Sequence, residues 1–411
     1  MRLFVLLTVS ALLTGACGGS SGSGATPTPT YSAVVDAGSS GSRIYLYKSV
    51  PSNDFGTIET LLDYTSISIP DLSSYAGNPA QAGPHGVQPL LDQLTQYLRS
   101  NHLQEGHVRV SVLGTAGMRS VARGAATAIY DSVTKSISSS HYTVANVGTI
   151  SGQEEGLYAW ASVNHLKNTF QDHATPYGII EVGGASAQVT YVGKDKGDAS
   201  VVTKTINGIV YPVFSISYLG LGQNSARASM IESSAAGGGT DNNTCYTSGY
   251  SFGSAPGDPS PAPGTRSLTG NYDYATCQSL YRSVIGRFDV ANTAVMPGFS
   301  GTHFLILGGS VSGVLANWGL STSMALPNKL LSEAQANCQG ATWTKFYATY
   351  SAYGPMRFLQ PQCANSTYLG TLLYDGDGLG LRPDQGMIPV DVAGRASTWT
   401  LGYVLLTEFG T

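Results

Sequence analysis

The sequence predicts an α/β protein with two related lobes that face each other across a cleft. The stretch VVDAGSSGSRIYLYK (34–48) reads as a strand, a tight glycine turn and a second strand, and Asp36 ends the first strand. The stretch GIIEVGGASAQVTYV (178–192) repeats this layout without a gap, with Glu181 145 residues after Asp36. Between them, VSVLGTAGMRSVA (110–122) has the pattern of a buried strand, a turn and the start of a helix. A repeat at this spacing predicts a duplicated structural unit.

The composition agrees with a large, exported protein. The chain has 411 residues, of which 42% are hydrophobic and only 11% are charged, so it can form two domains or one bilobed domain. The formal net charge is −4, and the sequence contains no run of lysine or arginine. This charge pattern excludes an electrostatic footprint for nucleic acid.

The first residues predict export. The chain begins with a basic residue and an apolar run that is too short to span a bilayer, so we predict a signal peptide at residues 1–16. A simple signal peptide, cleaved after Ala16 and without further modification, is enough to explain this pattern. A sharper interpretation is a bacterial lipoprotein, in which Cys17 becomes lipidated and provides the only membrane contact, although Thr14 stands where Leu is usual. The Gly/Ser/Thr/Pro-rich segment 17–30 then predicts a flexible tether.

The cysteines predict two disulfides. Four cysteines remain when Cys17 is set aside, and four cysteines allow three pairings. The sequential pairing, Cys245–Cys277 and Cys338–Cys363, closes two loops of modest length, and we predict this pairing in an oxidising compartment. No CxxC motif or cysteine–histidine cluster in the sequence indicates zinc.

The glycine turns of the repeat place a strand-end carboxylate beside backbone N–H groups that small residues leave accessible. One such turn alone is more often an ordinary hairpin. Two facing turns fit the phosphate chain of a nucleotide with its divalent ion, which Asp36 is a candidate to hold. Thr115 and Arg119 are candidates for phosphate contacts at a helix start, and the alternative for them is a plain turn between strand and helix.

Two adjacent glutamates begin a predicted helix at about Gly152. Ser151 caps this helix, and Glu154 at its third position completes a capping box. Adjacent helical residues do not share a face, so Glu155 points elsewhere. Glu154 therefore has a structural role, whereas Glu155 is available for chemistry in the cleft.

Together these motifs resemble the ecto-nucleoside triphosphate diphosphohydrolase family, also called apyrases. The segments SYLGLGQNSA (217–226) and CANSTYLGTLLYDGDGLGL (363–381) are similar to family segments, and the short, tethered N terminus resembles the bacterial members. The conserved regions of the family stand in the expected order from residue 31 to the C terminus, as DAGSSGSR (36–43), GTAGMR (114–119), ISGQEEG (150–156), VGGASAQ (182–188) and STWTLGYVL (397–405).

The resemblance implies the α/β fold of the actin, sugar kinase and Hsp70 superfamily, in which two ribonuclease-H-like lobes enclose an interlobe cleft. It also implies hydrolysis of nucleoside tri- and diphosphates to monophosphates, with Ca²⁺ or Mg²⁺ and no covalent intermediate. We place lobe I at residues 31–165, with the C-terminal segment 395–411 returning to it as a helix. Lobe II comprises residues 166–394 and includes a mobile insertion at about 234–270. The sequence makes no prediction of the oligomeric state.

Carried over by position, the resemblance also assigns the chemistry. Glu155 is the general base that takes a proton from the water attacking the terminal phosphorus. Ser186 and Gln188 hold that water in line. Asp36 and Glu181 orient the ion largely through its water shell, because Mg²⁺ keeps several of its waters.

The resemblance places the phosphates on both turns and on nearby polar residues. Trp399 resembles a family tryptophan near the metal-bound waters, and its alternative is a core residue. The two arginines of the phosphate set have the alternative of surface or interlobe salt bridges. The predicted phosphate-binding residues are Gly38, Ser39, Ser40, Gly41, Arg43, Thr115, Arg119, Gly183, Gly184 and Ala185.

One position departs from the family pattern, because the family usually has Asp where this chain has Glu181. Glutamate is one methylene longer, so its carboxylate either touches the ion directly or displaces it. We therefore expect any difference from the family in metal preference and turnover, and not in fold.

Base recognition in the family uses aromatic rings of the second lobe, which stack on any base because each base has a π face. Tyr368 is the best match, and Tyr374 and Arg382 are further candidates. The aromatic run WTKFYATYSAY (343–353) lies in the loop closed by Cys338–Cys363. Its spacing fits no stacking register, so we predict that it packs in the core or in a loop.

Two other functions fit parts of the pattern. An exopolyphosphatase-like hydrolase or a sugar kinase of the same superfamily shares the twin phosphate loops, but a kinase would be cytosolic, and the set SGQEEG, GGASAQ and WTLGY is not, as we read it, that of an exopolyphosphatase. A surface protein that binds nucleotide without turnover is the second alternative. Release of phosphate separates the enzymes from such a binding module, which gives none.

Overall fold

The computed structural model describes residues 28–51, 56–63, 69–194, 197–235, 242–250, 269–320, 327–389 and 399–409. The predicted signal peptide, Cys17 and most of the predicted tether lie outside these residues. So do residues 236–241 and 251–268 of the predicted insertion. In the described part of the chain, no helix combines the length and the apolar character needed to cross a membrane.

Strands and helices alternate along the chain. The strands are β1 (Thr30–Gly38), β2 (Gly41–Val50), β3 (Thr57–Asp63), β4 (Val108–Gly114), β5 (Thr143–Thr149), β6 (Gly178–Val182), β7 (Ser186–Val192), β8 (Val201–Ile206), β9 (Ile209–Leu219), β10 (Asn242–Asn243), β11 (Thr269–Gly270), β12 (Phe304–Leu307) and β13 (Gly386–Met387). The helices are α1 (Gln88–Ser100), α2 (Ala116–Arg119), α3 (Arg123–Ser139), α4 (Gly152–Leu166), α5 (Gln223–Ala235), α6 (Tyr274–Ile285), α7 (Val290–Ala294), α8 (Gly309–Asn317), α9 (Lys329–Cys338), α10 (Trp343–Tyr350), α11 (Met356–Leu359), α12 (Gln362–Tyr374) and α13 (Trp399–Glu408). Short 3-10 and π turns occupy most of residues 72–87.

The first half of the chain forms a five-stranded sheet with the order β3-β2-β1-β4-β5. Strand β1 runs antiparallel to β2 and parallel to β4, which in turn runs parallel to β5. Consecutive residues Ala33, Val34 and Val35 of β1 are all buried. A continuous apolar run of this kind is expected of a central strand that is covered on both faces.

The second half repeats this arrangement in a six-stranded sheet with the order β13-β12-β6-β7-β9-β8. Strand β6 runs antiparallel to β7 and parallel to β12, as β1 does with β2 and β4. The order β9-β7-β6-β12-β13 therefore corresponds to β3-β2-β1-β4-β5, and β8 is an extra strand at one edge. The predicted duplication of an α/β unit is confirmed.

Two helices lie between the sheets and join them through a shared core. Helix α4 packs on β7 and β9, whereas α13 packs on α4 and contacts β1 and β2. The two helices cross closely at Gly402, because a side chain there would collide with the carbonyl oxygen of Tyr158. The C-terminal helix contacts the first sheet and α4 contacts the second sheet, so the assignment of residues 395–411 to lobe I and the division of the lobes at residue 165 stay predictions.

The second half also contains both predicted disulfides, Cys245–Cys277 and Cys338–Cys363, which confirms the sequential pairing. The aromatic run 343–353 forms α10 and packs by Phe346 and Tyr350 against Trp318. Phe346 is buried, so the prediction that this run serves packing is confirmed.

Candidate active site

A cleft of about 1060 Å³ opens between the two sheets at the carboxyl ends of β1, β6 and β12. Most of the predicted site residues line it. They are Asp36, Gly38, Ser39, Ser40, Arg43, Thr115, Glu155, Glu181, Gly183, Gly184, Ala185, Ser186 and Trp399.

The first glycine turn is a tight hairpin between β1 and β2. Gly38 pairs with Gly41, which leaves Ser39 and Ser40 at the tip. Gly41 has a φ of +131°, and a Cβ there would lie 2.7 Å from the carbonyl oxygen of Ile69. Gly41 therefore shapes the turn but does not line the cleft, which corrects its predicted role as a phosphate contact.

The second glycine turn joins β6 to β7 and faces the first. The N–H groups of Gln223 and Asn224 at the start of α5 donate hydrogen bonds of 2.8 and 2.9 Å to the carbonyl oxygens of Gly183 and Gly184. A Cβ on Gly184 would stand 2.9 Å from Ser39 Oγ of the other turn. The two turns therefore approach each other closely across the cleft.

Two carboxylates mark the strand ends behind these turns. Burial raises the pKa of Asp36 to about 6, although the Arg43 guanidinium and a hydrogen bond from the Trp399 side chain act to lower it. Burial raises the pKa of Glu181 further, to about 8, and the nearby Glu155 and Asp36 carboxylates raise it too. The carboxyl groups of Asp36, Glu155 and Glu181 are thus close enough to raise the pKa of Glu181, and no positively charged side chain offsets this effect on Glu181 among the described residues.

A third carboxylate, Glu155, enters from the start of α4. Ser151 Oγ accepts the Glu154 N–H, and the Glu154 carboxylate accepts the Ser151 N–H at 2.7 Å, which is the predicted capping box. Glu154 is consequently exposed, whereas Glu155 is only 7% exposed and lines the cleft. Burial raises the pKa of Glu155 to about 7, against the lowering effect of Arg119.

A hydrogen-bonded group on β7 surrounds Glu155. Gln188 Nε2 lies 3.0 Å from Glu155 Oε2, 2.8 Å from Ser186 Oγ and 3.2 Å from Ser217 Oγ. Gln188 is buried behind Ser186, and only Ser186 lines the cleft. The side chains predicted to handle the attacking water are therefore in mutual contact.

Arg119 lies at the end of α2 and forms an ion pair with Glu155 Oε2. It does not line the cleft, and its Nε is inaccessible to solvent. Arg43, in contrast, lines the cleft, so the geometry favours Arg43 over Arg119 for phosphate binding, and both roles stay predictions.

The residues fit a divalent cation held partly through water. Asp36 Oδ1 and Glu181 Oε2 are inaccessible to solvent and have no hydrogen-bond partner within the described parts of the chain. Buried carboxylate oxygens without a donor require a compensating positive charge or a proton. Over the described ranges, no three histidine, cysteine, aspartate or glutamate side chains are close enough to form a complete metal site. Two carboxylates and a remaining water shell are the ligands that Mg²⁺ prefers.

Residues 26–409 match the family model of GDA1/CD39 (nucleoside phosphatase). The chain belongs to this family. It is therefore an enzyme that hydrolyses phosphoanhydride bonds of nucleoside phosphates. Probable apyrase 5 of Arabidopsis thaliana is 27% identical over 418 residues, which cover 93% of this chain and 83% of the plant protein. Human ectonucleoside triphosphate diphosphohydrolase 2 is 28% identical over 421 residues, covering 92% of this chain and 82% of the human protein.

Solved structures agree with the predicted superfamily fold. Nucleoside triphosphate hydrolases from Neospora caninum superpose with a TM-score of 0.62 at 16% identity, covering 93% of each chain. A Ppx/GppA family member from Aquifex aeolicus superposes with a TM-score of 0.51 at 11% identity, covering 93% of this chain and 98% of the other. At these identities the likeness shows the fold alone.

The predicted base-binding residues of this GDA1/CD39 member do not lie in the cleft. Tyr368 is fully buried in α12, and its hydroxyl donates to the carbonyl oxygen of Leu221. Tyr374 packs over Gly386 with its hydroxyl oxygen buried. Arg382 donates to the carbonyl oxygen of Ser300 and pairs with Asp384. None of the three can stack on a base in this arrangement, so this prediction was wrong.

The far end of the cleft is built by residues that the sequence analysis missed. Gly309 and Gly313 lie four apart on α8 and would leave an added Cβ without a neighbour within 4 Å, so this face of the helix is open. Phe358 is 47% exposed, and Arg357 lies over its ring at 4.9 Å. The one signal was LILGGSVSGVLAN (305–317), an apolar strand and a glycine turn before a helix. The remaining lining residues here are Arg227, Asn317, Pro361, Asn365, Ile388 and Pro389.

Proposed function

We propose that this enzyme hydrolyses nucleoside tri- and diphosphates to monophosphates outside the cytoplasm, by attack of a water molecule that Glu155 deprotonates. One observation carries the proposal. Glu155 is a buried carboxylate that lines the cleft beside two glycine turns, and only its Oε2 has hydrogen-bond partners among the described residues. Its Oε1 is then the atom that accepts the proton.

The two turns hold the phosphate chain. The tip residues Ser39 and Ser40 of the first turn and residues 183–185 of the second turn line the cleft. The Gly183 N–H closes its own turn by donating to the Ser186 carbonyl oxygen at 3.0 Å, so the N–H groups of residues 184 and 185 are the candidates for phosphate contacts. Arg43 and Thr115 add a charged and a neutral donor from the first sheet. Backbone N–H groups and a guanidinium bind phosphate oxygens well because their donors are already oriented.

Asp36 and Glu181 would hold Ca²⁺ or Mg²⁺, and Trp399 keeps Asp36 in place through its hydrogen bond. A bound ion would neutralise charge on the phosphate oxygens. The buried, unpartnered oxygens of both carboxylates support this assignment.

The protein residues then carry out the proton transfer. Ser186 lines the cleft and is fixed by Gln188, so its hydroxyl can hold the water opposite the bridging oxygen with which the product nucleotide leaves. As the water oxygen bonds to the terminal phosphorus, its proton passes to Glu155 Oε1 and the bond from phosphorus to the bridging oxygen breaks. Positioning and charge stabilisation supply most of the catalysis in such transfers.

Phe358 and Arg357 are the candidates for base recognition, in place of the buried Tyr368. Their planar groups line the cleft, as do Gly309 and Gly313 of α8. Stacking on one ring and a guanidinium discriminates weakly among bases. We therefore expect activity on purine and pyrimidine nucleotides alike.

The relatives support an exported location. One is named as an ecto-enzyme, and a 30% identical relative over 236 residues, covering 47% of this chain and 36% of its own length, is a Golgi apyrase of Saccharomyces cerevisiae. The two disulfides agree with an oxidising compartment. Together with the predicted signal peptide, these observations favour the periplasm or cell surface, with an anchor at Cys17.

The test is phosphate release from ATP, ADP, AMP and polyphosphate, each with Mg²⁺, Ca²⁺ or EDTA. We expect metal-dependent release from ATP and ADP only, and a loss of about 1000-fold in Glu155→Ala. Glu154→Ala is the matched control, since it removes only the cap, costs about 1 kcal/mol of stability and retains activity.

Each other outcome rejects a specific part of the proposal. Release from polyphosphate alone would indicate the exopolyphosphatase activity. No release from any substrate would indicate a nucleotide-binding protein. An unchanged rate in Glu155→Ala would remove Glu155 as the base while leaving the substrate class intact.

A further inference from the structure

Arg119 connects the first half of the fold to Glu155, the proposed general base. It ends α2, which follows β4 of the first sheet, whereas Glu155 starts α4, which packs on the second sheet. The guanidinium pairs with Glu155 Oε2 and lies 3.4 Å from Ser186 Oγ on β7. The Arg119 side chain, which follows the first sheet, therefore contacts both Glu155 and Ser186, two residues that the proposed mechanism uses.

The surroundings of Arg119 are built to keep it there. Its side chain is 15% exposed, and that of Glu155 is 10% exposed. Gly152, the first residue of α4, leaves the space that the guanidinium occupies, since a Cβ at that position would overlap both Arg119 Nη1 and the Ser217 side chain. A bulkier residue at 152 would thus displace the arginine, together with Ser217, without changing the charge of the arginine.

The two carboxylate oxygens of Glu155 differ in their hydrogen-bond partners. Arg119 and Gln188 both donate to Oε2, and within the described residues nothing donates to Oε1. A carboxylate held at one oxygen by two donors can turn only slightly about its axis. Its other oxygen therefore stays aimed into the cleft.

We propose that Arg119 is a positioning residue, which clamps Glu155 Oε2 so that Oε1 faces the attacking water, and that it makes no contact with phosphate. This inference rests on the proposed function, because it presupposes that Glu155 is the base. The sequence analysis assigned both arginines to phosphate binding. We now assign Arg43 to substrate binding and Arg119 to the orientation of Glu155.

The experiment compares Arg119→Met, Arg119→Lys and Gly152→Ala with Arg43→Met as the control that removes a cleft-lining charge. For Arg119→Met we expect kcat to fall about 100-fold, because a base displaced by about an ångström loses that much, while KM stays within about threefold. Arg119→Lys should lose about tenfold in kcat, since a single ammonium cannot reproduce a planar donor pair. Gly152→Ala should resemble it. Arg43→Met should instead raise KM about tenfold.

Binding and pH provide readouts that a merely structural role would not change in this pattern. The Kd for an ADP analogue with a non-hydrolysable methylene bridge, measured by calorimetry in Ca²⁺, should remain within about twofold of wild type in Arg119→Met. The charged groups facing Glu155 are Arg119 on α2, Asp36 on β1 and Glu181 on β6. Loss of the arginine leaves only negative neighbours, so the acidic limb of kcat/KM should move up by about one pH unit.

Two kinetic results would overturn this inference. A tenfold rise in KM and Kd with unchanged kcat would make Arg119 a phosphate ligand and overturn the inference. So would wild-type kinetics in Arg119→Lys together with weak binding in Arg119→Met, because lysine also binds phosphate. If Arg119→Met fails to fold, Arg119→Lys and Gly152→Ala decide by the same criteria. Failure of the proposed function would appear separately, in the wild type, as absence of nucleotide hydrolysis.

Discussion

The two glycine turns share one backbone layout but set their carboxylates in different surroundings. Asp36 pairs in register with Arg43 and accepts a hydrogen bond from Trp399, whereas Glu181 pairs in register with Gln188 and has a buried Oε2 without a partner. The pKa rises to about 6 for Asp36 and about 8 for Glu181. Duplication thus places the two acids symmetrically, and the neighbouring residues make them unequal.

The two halves differ in covalent structure as well. Both disulfides lie in the second half, and each closes a loop there, with sequence separations of 32 and 25 residues. The first half has a five-stranded sheet, and its helix α1 buries leucines at 90, 91, 94 and 98. The first half therefore relies on noncovalent packing, and we expect the halves to respond differently to reduction.

The largest expected effect is on the stability of the second half. Cys338→Ser combined with Cys363→Ser should lower its free energy of unfolding by about 3 kcal/mol, because the open chain regains loop entropy when unfolded. Urea unfolding followed by tryptophan fluorescence measures the change. Cys17→Ser is the control, with no expected change. A single transition with an unshifted midpoint would show that the disulfide contributes little.

The next effect compares the two strand-end acids directly. We expect Asp36→Asn to weaken activation by Ca²⁺ or Mg²⁺ about 100-fold and Glu181→Gln about tenfold. The reason is that Asp36, held by Arg43 and Trp399, is the acid more readily ionised before an ion arrives. Metal titrations of phosphate release provide the numbers, and removal of metal by EDTA gives the baseline. Equal losses in both variants would mean that the two acids share the ion evenly.

The contact between the turns offers a smaller test. Gly184→Ala should raise KM for ATP about tenfold, since its Cβ would lie 2.9 Å from Ser39 Oγ and force the turns apart. Gly183→Ala is the matched control, because its Cβ would lie 3.5 Å from the Ser186 carbonyl oxygen, an ordinary contact. Adding Ser39→Ala to Gly184→Ala should restore part of the affinity. Similar kinetics in both glycine variants would argue that the turns need not approach.

The smallest expected effect comes from restoring symmetry. Glu181→Asp shortens the acid by one methylene and should change the ratio of Mg²⁺-supported to Ca²⁺-supported rates by about two- to fivefold, because Mg²⁺ tolerates less variation in geometry. Rates at saturating metal measure this ratio. An unchanged ratio and turnover would show that the longer side chain is silent.

The carboxylates of the cleft were predictable because each one is placed by residues next to it in the sequence. Asp36 and Glu181 end strands directly before glycine turns, and the capping box identified Glu154 as structural and Glu155 as available. Such patterns depend on strand alternation, turn chemistry and helix ends, which act over a few residues. The resemblance to a known family then supplied roles for these positions.

The far end of the cleft was not predictable in this way. Tyr368 was assigned to base stacking through the family resemblance, yet it stands in a helix in which all of Gln362–Leu373 is buried. Its hydroxyls are satisfied inside the fold, for example by Thr367 donating to the Cys363 carbonyl oxygen at 2.8 Å. Internal hydrogen bonds of this kind let a polar helix be buried, and only packing reveals them.

By itself, the sequence determined the duplicated α/β unit and the three cleft acids, because each follows from spacing or from short-range backbone chemistry. Only the tertiary structure decided which of the three possible cysteine pairings is formed, that Arg119 pairs with Glu155 and that Arg43 and Phe358 line the cleft. Those positions depend on how two sheets and the helices between them pack. Residues far apart in the chain become neighbours only when that packing is complete.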